Sequence, residues 1–209
     1  MILLYGTTNP SKLAVMKQYL QPLKDIELIG LDDMPEKPPS VYEGGSCPLE
    51  NARIKALAYQ KFYGVSVFSC DSGLYFDNVP EEIQPGVHVR NVGGKCLSDE
   101  EMTEYYSSLA AKYGKLTARY KNAVCLVLSD GRMAESMDIS LSGNPFYIVE
   151  KPHPKRAEGF PLDCLSVHIA SGEYYYDLPQ ETYCVDITIG DGFCRFFENA
   201  LRSFKIKGE

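Results

Sequence analysis

The 209-residue sequence contains no apolar run longer than a few residues, and its first residues lack the basic segment and apolar stretch of a signal peptide. We therefore expect no membrane-spanning segment and predict the cytoplasm as the location. The seven cysteines are an odd number and contain no C-x-x-C pair. This spacing argues against a disulfide framework and against a zinc site, so most of the thiols are expected to be buried.

Positive charge is also scarce, since 21 Lys and Arg residues face 28 Asp and Glu residues and give a formal net charge of −7. Affinity for a nucleic-acid polymer comes mainly from clustered cations, so this balance argues against such a partner. A nucleoside triphosphate can still bind if a few lysines and a divalent cation offset its charge locally. The apolar fraction of 44% is ordinary for a globular protein.

Segments with strand and helix patterns alternate along the chain, which is typical of an α/β fold. The expected strands of the first half are Met1–Tyr5, Ile26–Leu31, Val65–Cys70 and a short Leu74–Phe76. The expected helices are Ser11–Leu20, Pro48–Tyr63, one that Ser98 opens, and a closing amphipathic Phe193–Phe204. Thr117–Leu128 and Met133–Leu141 flank a hairpin signal. The pattern predicts a mixed twisted sheet flanked by helices, with a second, β-rich lobe at about residues 110–185 of a single domain.

Two polar loops follow predicted strands. The segment from Thr7 to Lys12 follows the first strand, and Asp71-Ser72-Gly73 follows Val65–Cys70. In open α/β sheets, ligands bind in the loops at the carboxyl ends of the strands, so both loops point to one shared cleft. Lys12 lies at the start of a predicted helix, where backbone N–H groups and an ammonium favour an anion. We interpret the cleft as a nucleotide-phosphate site.

A second group of polar residues surrounds the start of the long predicted helix. Asn51 and Lys55 are four residues apart and therefore share a helix face. Glu43, followed by two glycines that free the backbone, is placed to present its carboxylate to the same ligand. Together with Asp71 it would suit Mg²⁺, which prefers one or two protein carboxylates completed by water and phosphate oxygens.

These motifs occur in one order that resembles the Ham1/inosine triphosphate pyrophosphatase family. The motifs are Thr8-Asn9-x-x-Lys12, Glu43-Gly44-Gly45 leading to Glu50-Asn51-Ala52-x-x-Lys55-Ala56, Asp71-Ser72-Gly73-Leu74, Pro85-Gly86-Val87 and Gly159-Phe160-x-x-Asp163. They span most of the chain. The resemblance implies a mixed α/β fold with two lobes around a central cleft, a homodimer, and Mg²⁺-dependent hydrolysis of non-canonical purine nucleoside triphosphates, such as those of inosine and xanthosine, to monophosphate and pyrophosphate.

The resemblance also implies a role for each matching position. It makes Asp71 the proton acceptor, and Lys12 and Lys55 the lysines that contact phosphates. Glu43 and Asp71 would hold the metal. The residues implied to contact the substrate are Thr7, Thr8, Asn9, Asn51, Ser72, Phe160 and Asp163, the last two beside the base.

The sequence departs from the family pattern at three places. Cys70 stands where the family has a first acid, so a carboxylate of the metal or water site is missing. Leu162 replaces an aromatic residue before Asp163, and the C-terminal Ser-His-Arg motif has no match because residues 186–201 contain no histidine. Two alternatives therefore remain open: a nucleotide-binding or sensing protein with reduced catalysis, and a Maf-like pyrophosphatase for other nucleotides.

Overall fold

The computed structural model describes residues 1–77, 79–179 and 187–206. The strands are β1 (Ile2–Tyr5), β2 (Glu27–Gly30), β3 (Val67–Phe76), β4 (Asn91–Val92), β5 (Lys95–Cys96), β6 (Leu116–Val127), β7 (Met133–Ser136), β8 (Phe146–Ile148) and β9 (Ser166–Val167). The helices are α1 (Pro10–Tyr19), α2 (Pro48–Tyr63), α3 (Asp99–Tyr113) and α4 (Ile187–Ile206). None of the helices in these residues is long and apolar enough to cross a membrane.

The chain divides into two compact units. The first comprises Met1–Ser72, Lys121–Ser142 and Val185–Glu209, and the second comprises Gly73–Tyr120 and Gly143–Cys184. Strands β3 and β6 each continue from one unit into the other. The single domain with a lobe at about residues 110–185 stays a prediction.

The sheet of the first unit combines parallel and antiparallel pairs in the order β2-β1-β3-β6, with β7 on β6. Strand β1 pairs in parallel with β2, where Tyr5 lies opposite Gly30, and with β3, where Tyr5 lies opposite Phe68. Strand β7 pairs antiparallel with β6, from Val124 opposite Ser136 onward. Because the three strands are parallel, β1 and β2 end at the same edge, beside Phe68, whereas β3 continues to Phe76.

Helices cover both faces of this sheet. Val124 and Leu126 of β6 pack with Phe197 of α4 in a cluster that also includes residues of α1. Their neighbours Ala123, Cys125 and Val127 face the other way and pack on Ala52 and Ala56 of α2. This alternation follows from the two-residue period of a strand. Helix α2 therefore lies on one face, and α1 and α4 lie on the other.

The second unit has its own core around α3. The beginning of β6 pairs antiparallel with β8, and β8 pairs with β9. Met102 and Tyr106 of α3 pack with residues of these strands in one buried cluster. Helix α3 begins with a capping box, in which Ser98 accepts from the Glu101 N–H and the Glu101 carboxylate accepts from the Ser98 N–H.

The mixed α/β fold with flanking helices is confirmed, and the details differ at several places. Strand β3 is continuous through Gly73, where a turn was predicted. The backbone of Gly86 lies close to this glycine, since a Cβ at position 73 would lie 2.8 Å from the Gly86 carbonyl oxygen. Strand β7 ends at Ser136, since Asp138 accepts a hydrogen bond from the Ser140 N–H and caps a short 3₁₀ turn. Strands β8 and β9 are too short for their pattern to be detected, and α4 begins before Phe193.

Candidate active site

The site is centred on Lys55, which projects from α2 toward Asp71 in the middle of strand β3. Its Nζ lies 2.7 Å from Oε2 of Glu43 and 3.0 Å from Oδ1 of Asp71. The side chains of Lys55 and Asp71 are 11% and 16% exposed, whereas Glu43 is 43% exposed. One ammonium therefore joins two carboxylates, one in the loop before α2 and one on β3.

Asn51 holds the same aspartate from the previous turn of α2. Its Nδ2 donates to Oδ2 of Asp71 at 3.1 Å, and its Oδ1 accepts from the Gly45 N–H at 2.8 Å. Each oxygen of Asp71 thus receives one donor and keeps a lone pair for a further partner. A Cβ at Gly45 would lie 2.6 Å from Cβ of Glu50 and 2.7 Å from Oδ1 of Asn51. Glycine is required at position 45 because these groups leave no room for a side chain.

The environment of Lys55 favours its charged form. Burial lowers the pKa of the ammonium, but the hydrogen bond to Glu43 and the charge of Asp71 outweigh burial and raise the pKa above its ordinary value. Lys55 is therefore a fixed positive charge across the physiological pH range.

Helix α2 begins where the sequence predicts, and a carboxylate supports its first turn. Pro48 occupies the first helical position, and Glu50 accepts from the N–H and hydroxyl of Ser46 at 2.6 and 2.9 Å. The backbone hydrogen bond to Ser46 lowers the pKa of Glu50. The helix ends at Gly64, whose φ of +67° places it in the left-handed region. These two ends fix the register that brings Asn51 and Lys55 to one face.

The loop after β1 is organised by Asn9. Its Oδ1 accepts from the N–H groups of Ser11 at 2.9 Å and Lys12 at 3.2 Å, and its own N–H donates to Thr7 Oγ1 at 3.2 Å. Thr8 and Lys12 are exposed at the start of α1. Two amides of the first turn are therefore already paired with Asn9. The exposed ammonium of Lys12 supplies the full positive charge of this turn, which favours an anion.

Cys70, next to Asp71 on β3, belongs to the opposite face of the sheet. It packs against the apolar cluster shared with α1 and α4, and it is hydrogen-bonded to Tyr5. Burial raises the pKa of the thiol to about 12, while the charges of Lys55 and Lys12 act in the opposite direction. The thiol therefore stays protonated at neutral pH.

Ser72 forms a contact that the sequence does not predict. Its hydroxyl donates to Oδ1 of Asn122 on β6 at 2.7 Å, and Nδ2 of Asn122 donates to the carbonyl oxygen of Leu141 at 2.7 Å. The sequence offers a weak signal for this role, namely a carboxamide directly before the apolar run 123–128.

Phe160 and Asp163 belong to the second unit, where Asp99 holds the loop that carries them. Asp99 Oδ2 accepts from the Gly159 N–H at 2.7 Å, and its Oδ1 lies 2.7 Å from Nη2 of Arg90. The hydrogen bond to Arg90 lowers the pKa of Asp99. Gly159 has a φ of +78°, Phe160 is 64% exposed, and the Asp163 N–H donates to the Phe160 carbonyl at 3.2 Å. Sequence reasoning missed the supporting role of Asp99.

The structure therefore joins some of the predicted site residues by direct contact and leaves others apart. Glu43, Asn51, Lys55 and Asp71 form one hydrogen-bonded group. The residues of the loop after β1 are linked to one another. Ser72 contacts Asn122 instead of this group.

A divalent cation needs several oxygen ligands that converge on one point. Within the described residues there is no group of three or more His, Cys, Asp or Glu side chains that could hold a metal. Glu43 and Asp71 nevertheless both contact the ammonium of Lys55, so their oxygens converge on one point. Two converging carboxylates fit a hard cation whose remaining ligands are water and phosphate oxygens.

A cavity of about 890 Å³ lies away from these residues, at the starts of β1 and β2 and the end of α4. Ile2, Glu27 and Phe204 are among the residues that line it, and none of the predicted site residues does. Size alone therefore does not locate the predicted site.

Comparison with known proteins identifies the family. The chain matches the model of the Ham1 family over residues 3–180 and belongs to that family. A dITP/XTP pyrophosphatase from Anaeromyxobacter dehalogenans is 35% identical, with 83% of each chain covered. The chain spans 65% and 50% of the lengths of two further curated relatives.

Solved structures of similar proteins share the fold. A nucleoside-triphosphatase / dITP/XTP pyrophosphatase from Mycobacterium abscessus has a TM-score of 0.65 and 26% identity, with 88% of this chain and 89% of that chain covered. A HAM1 protein from Coxiella burnetii has a TM-score of 0.73 and 21% identity, with coverage of 95% and 99%. The second likeness concerns the fold alone.

Proposed function

We propose that this chain is a Mg²⁺-dependent pyrophosphohydrolase that converts non-canonical purine nucleoside triphosphates, of the inosine and xanthosine type, to nucleoside monophosphate and pyrophosphate. The observation that carries the proposal is the position of Lys55 between Glu43 and Asp71 of β3. The relatives named dITP/XTP pyrophosphatases support the substrate class. The proposed roles of the residues follow from their chemistry.

In the proposed reaction, Asp71 orients a water molecule and accepts its proton as the water oxygen attacks the α-phosphorus. A new P–O bond forms, the bond between the α-phosphorus and the bridging oxygen breaks, and pyrophosphate leaves with that oxygen. Lys55 and Lys12 offset the charge of the phosphate oxygens, and positioned cations of this kind stabilise such transition states. Asn51 supports the reaction by keeping the carboxylate of Asp71 in place.

Glu43 and Asp71 are the residues that would hold Mg²⁺. When bound, the ion supplies positive charge against the phosphate oxygens of the substrate. The first acid of the family pattern is replaced by Cys70, whose thiol packs on the opposite face of the sheet. The proposed metal site therefore uses Glu43 and Asp71 without a third carboxylate.

The remaining predicted residues are assigned to the two ends of the substrate. Thr7, Thr8 and Asn9 are proposed to contact the triphosphate together with Lys12, because they form the polar turn after β1. Phe160 and Asp163 are proposed to lie beside the base. The exposed ring of Phe160 offers an aromatic face for stacking, and the Asp163 carboxylate is an acceptor for base N–H groups.

The proposal includes a cytoplasmic homodimer without a nucleic-acid partner. The acidic net charge of −7 supports the last part. Size-exclusion chromatography with light scattering tests the dimer, since a monomer at micromolar concentration would contradict it.

The function is tested with a panel of inosine, deoxyinosine, xanthosine and the four standard nucleoside triphosphates, each with Mg²⁺ and with EDTA. Malachite green reports orthophosphate with and without added inorganic pyrophosphatase. The expected result is a signal for the non-canonical substrates that requires both Mg²⁺ and the added pyrophosphatase. Orthophosphate without added pyrophosphatase would contradict the assigned bond cleavage. Nucleotide binding without turnover would favour the sensing protein instead.

A further inference from the structure

The hydroxyl of Ser72 and the carboxamide of Asn122 form a pair whose hydrogen positions can be assigned. The Leu141 carbonyl only accepts hydrogen bonds, so the atom of Asn122 that faces it at 2.7 Å must be the amide nitrogen. The carboxamide oxygen is then the atom 2.7 Å from Ser72 Oγ. Because that oxygen only accepts, Ser72 donates its single hydroxyl proton to Asn122.

The consequence concerns what Ser72 offers to a ligand. With its proton given to Asn122, the Ser72 oxygen presents lone pairs only, and phosphate oxygens also present lone pairs. The side chain is therefore set to accept a hydrogen bond and does not donate one to a phosphate. A serine with a free hydroxyl can act as donor or acceptor. The hydrogen bond to Asn122 leaves Ser72 the role of acceptor.

Ser72 is the direct neighbour of Asp71, the proposed catalytic residue, on β3. Its side chain is exposed. Alternate residues of a strand share a face, so Ser72 shares the face of Cys70. This is the face covered by α1, which carries Lys12 in its first turn. An acceptor on this face suits a donor such as the ammonium of Lys12 or a water molecule at the proposed site.

Leu141 makes the anchor of Asn122 rigid. It is the last residue of the 3₁₀ turn Ile139–Leu141, and it is 1% exposed within the cluster shared by α1 and α4. A Cβ at Gly192 of α4 would lie 2.0 Å from the carbonyl oxygen of Ser140 in this turn. The turn is thus packed closely against α4, and the carbonyl that orients Asn122 has a fixed position.

We infer that Asn122 is a positioning residue that holds the Ser72 hydroxyl as a hydrogen-bond acceptor for a donor at the phosphate site. This inference rests on the proposed function, and it adds a residue that contacts neither substrate nor metal. Ser72 acts on the donor, and Asn122 acts through Ser72.

The test is a double-mutant cycle with Asn122→Ala, Ser72→Ala and both together, measured as kcat and KM on inosine triphosphate. Each single variant is expected to lower kcat about tenfold with KM little changed, the rate equivalent of one hydrogen bond. The double variant is expected to match Ser72→Ala alone, because Asn122 acts only through Ser72. Losses in kcat that multiply in the double variant would overturn the inference. An Asn122→Ala variant with unchanged kcat would overturn it as well. A lower KM for Asn122→Ala would identify Ser72 as a phosphate donor and overturn it too.

Asp138→Ala is the matched control. Asp138 Oδ1 accepts from the Ser140 N–H at 2.9 Å, so this variant loosens the turn that carries Leu141 without removing either partner of the pair. Its effect on kcat is expected to be small and to multiply with that of Ser72→Ala. If it reproduced the loss and the coupling of Asn122→Ala, a merely structural role of the turn would explain the data and the inference would fail.

Thermal unfolding of the same four proteins separates this inference from the proposed function. The sum of the Tm losses of the two single variants is expected to exceed the Tm loss of the double variant by about 1–3 °C. The reason is that each substitution removes the same contact. If the wild-type chain hydrolysed no triphosphate, the proposed function would fail while this coupling could still be measured. Additive Tm losses would show that the pair does not form and would overturn the inference.

Discussion

The ammonium of Lys55 lies 3.0 Å from Oδ1 of Asp71, which joins the middle of helix α2 to the middle of strand β3. The two residues are 16 positions apart in sequence, belong to the same unit, and lie on consecutive elements. Asn51, one helical turn earlier, reaches the other oxygen of the same carboxylate. The orientation of Asp71 is therefore set by one face of one helix, and changes on that face are expected to affect catalysis.

Replacing Lys55 by Met should lower kcat about 10²- to 10³-fold, since one preorganised group that stabilises transition-state charge is lost. It should also lower the free energy of unfolding by about 2 kcal/mol, because Asp71 loses its charged hydrogen-bond partner. Pyrophosphate release and urea denaturation measure the two effects. Lys61→Met, near the end of the same helix, is the control and should change neither quantity appreciably.

The pH dependence of this stability loss has a defined sign. The folded-state pKa of Lys55 is raised above the ordinary value of 10.5. The contribution of the ammonium is therefore complete below about pH 10.5 and is lost as the pH rises through the folded-state pKa. The stability difference between wild type and Lys55→Met should be constant from pH 7 to 9 and shrink above pH 10.5. A difference that grew with pH would contradict the assignment.

Replacing Asp71 by Asn should cost at least ~10²-fold in turnover, the lower end of general-base contributions, while the fold survives. Nδ2 of Asn51 still has an oxygen to which it can donate. Steady-state kinetics and thermal unfolding provide the comparison. Asp77→Asn, just after the end of the same strand, serves as the control. A soluble Asp71→Asn protein with unchanged kinetics would remove Asp71 from the mechanism.

Two neighbouring glycines before α2 should respond differently to alanine. At Gly45 the new Cβ would meet Cβ of Glu50 at 2.6 Å and Oδ1 of Asn51 at 2.7 Å, so the support of Asp71 must shift. At Gly44 the nearest atoms belong to the ring of the exposed Tyr42, which can move away. Gly45→Ala should lose about 1–3 kcal/mol of stability and at least tenfold in kcat. Equal behaviour of the two variants in unfolding and kinetics would contradict this.

Replacing Cys70 by Asp should destabilise the protein without raising its activity, because the side chain lies in the apolar cluster beside Tyr5. The same burial that raises the pKa of the thiol to about 12 should raise that of the new carboxyl group. A carboxyl group whose pKa is raised in the folded state destabilises the protein at pH values above its unfolded-state pKa. The loss should therefore be about 2–4 kcal/mol at pH 7 and smaller at pH 4. Cys70→Ser is the uncharged control in thermal unfolding. Higher activity with full stability would instead mean that a functional carboxylate had been restored.

The sequence predicted the parts of the fold that local chemistry determines. Helix α2 was correct from Pro48 to its end at Gly64, because a proline at the first position and a left-handed glycine are strong signals. The continuity of β3 through Gly73 was not predicted, since it depends on the close approach of Gly86, which is not a sequence neighbour. In the site, the spacing of Asn51 and Lys55 predicted a shared face, whereas the partner of Ser72 lies 50 residues away and left almost no local signal.

The proposed hydrolysis is tested most directly by ³¹P NMR of the products formed from inosine triphosphate and Mg²⁺ in ¹⁸O-labelled water. Attack at the α-phosphorus predicts inosine monophosphate that carries one ¹⁸O and pyrophosphate that carries none. Inosine diphosphate with labelled orthophosphate, or label in pyrophosphate, would contradict the proposed reaction.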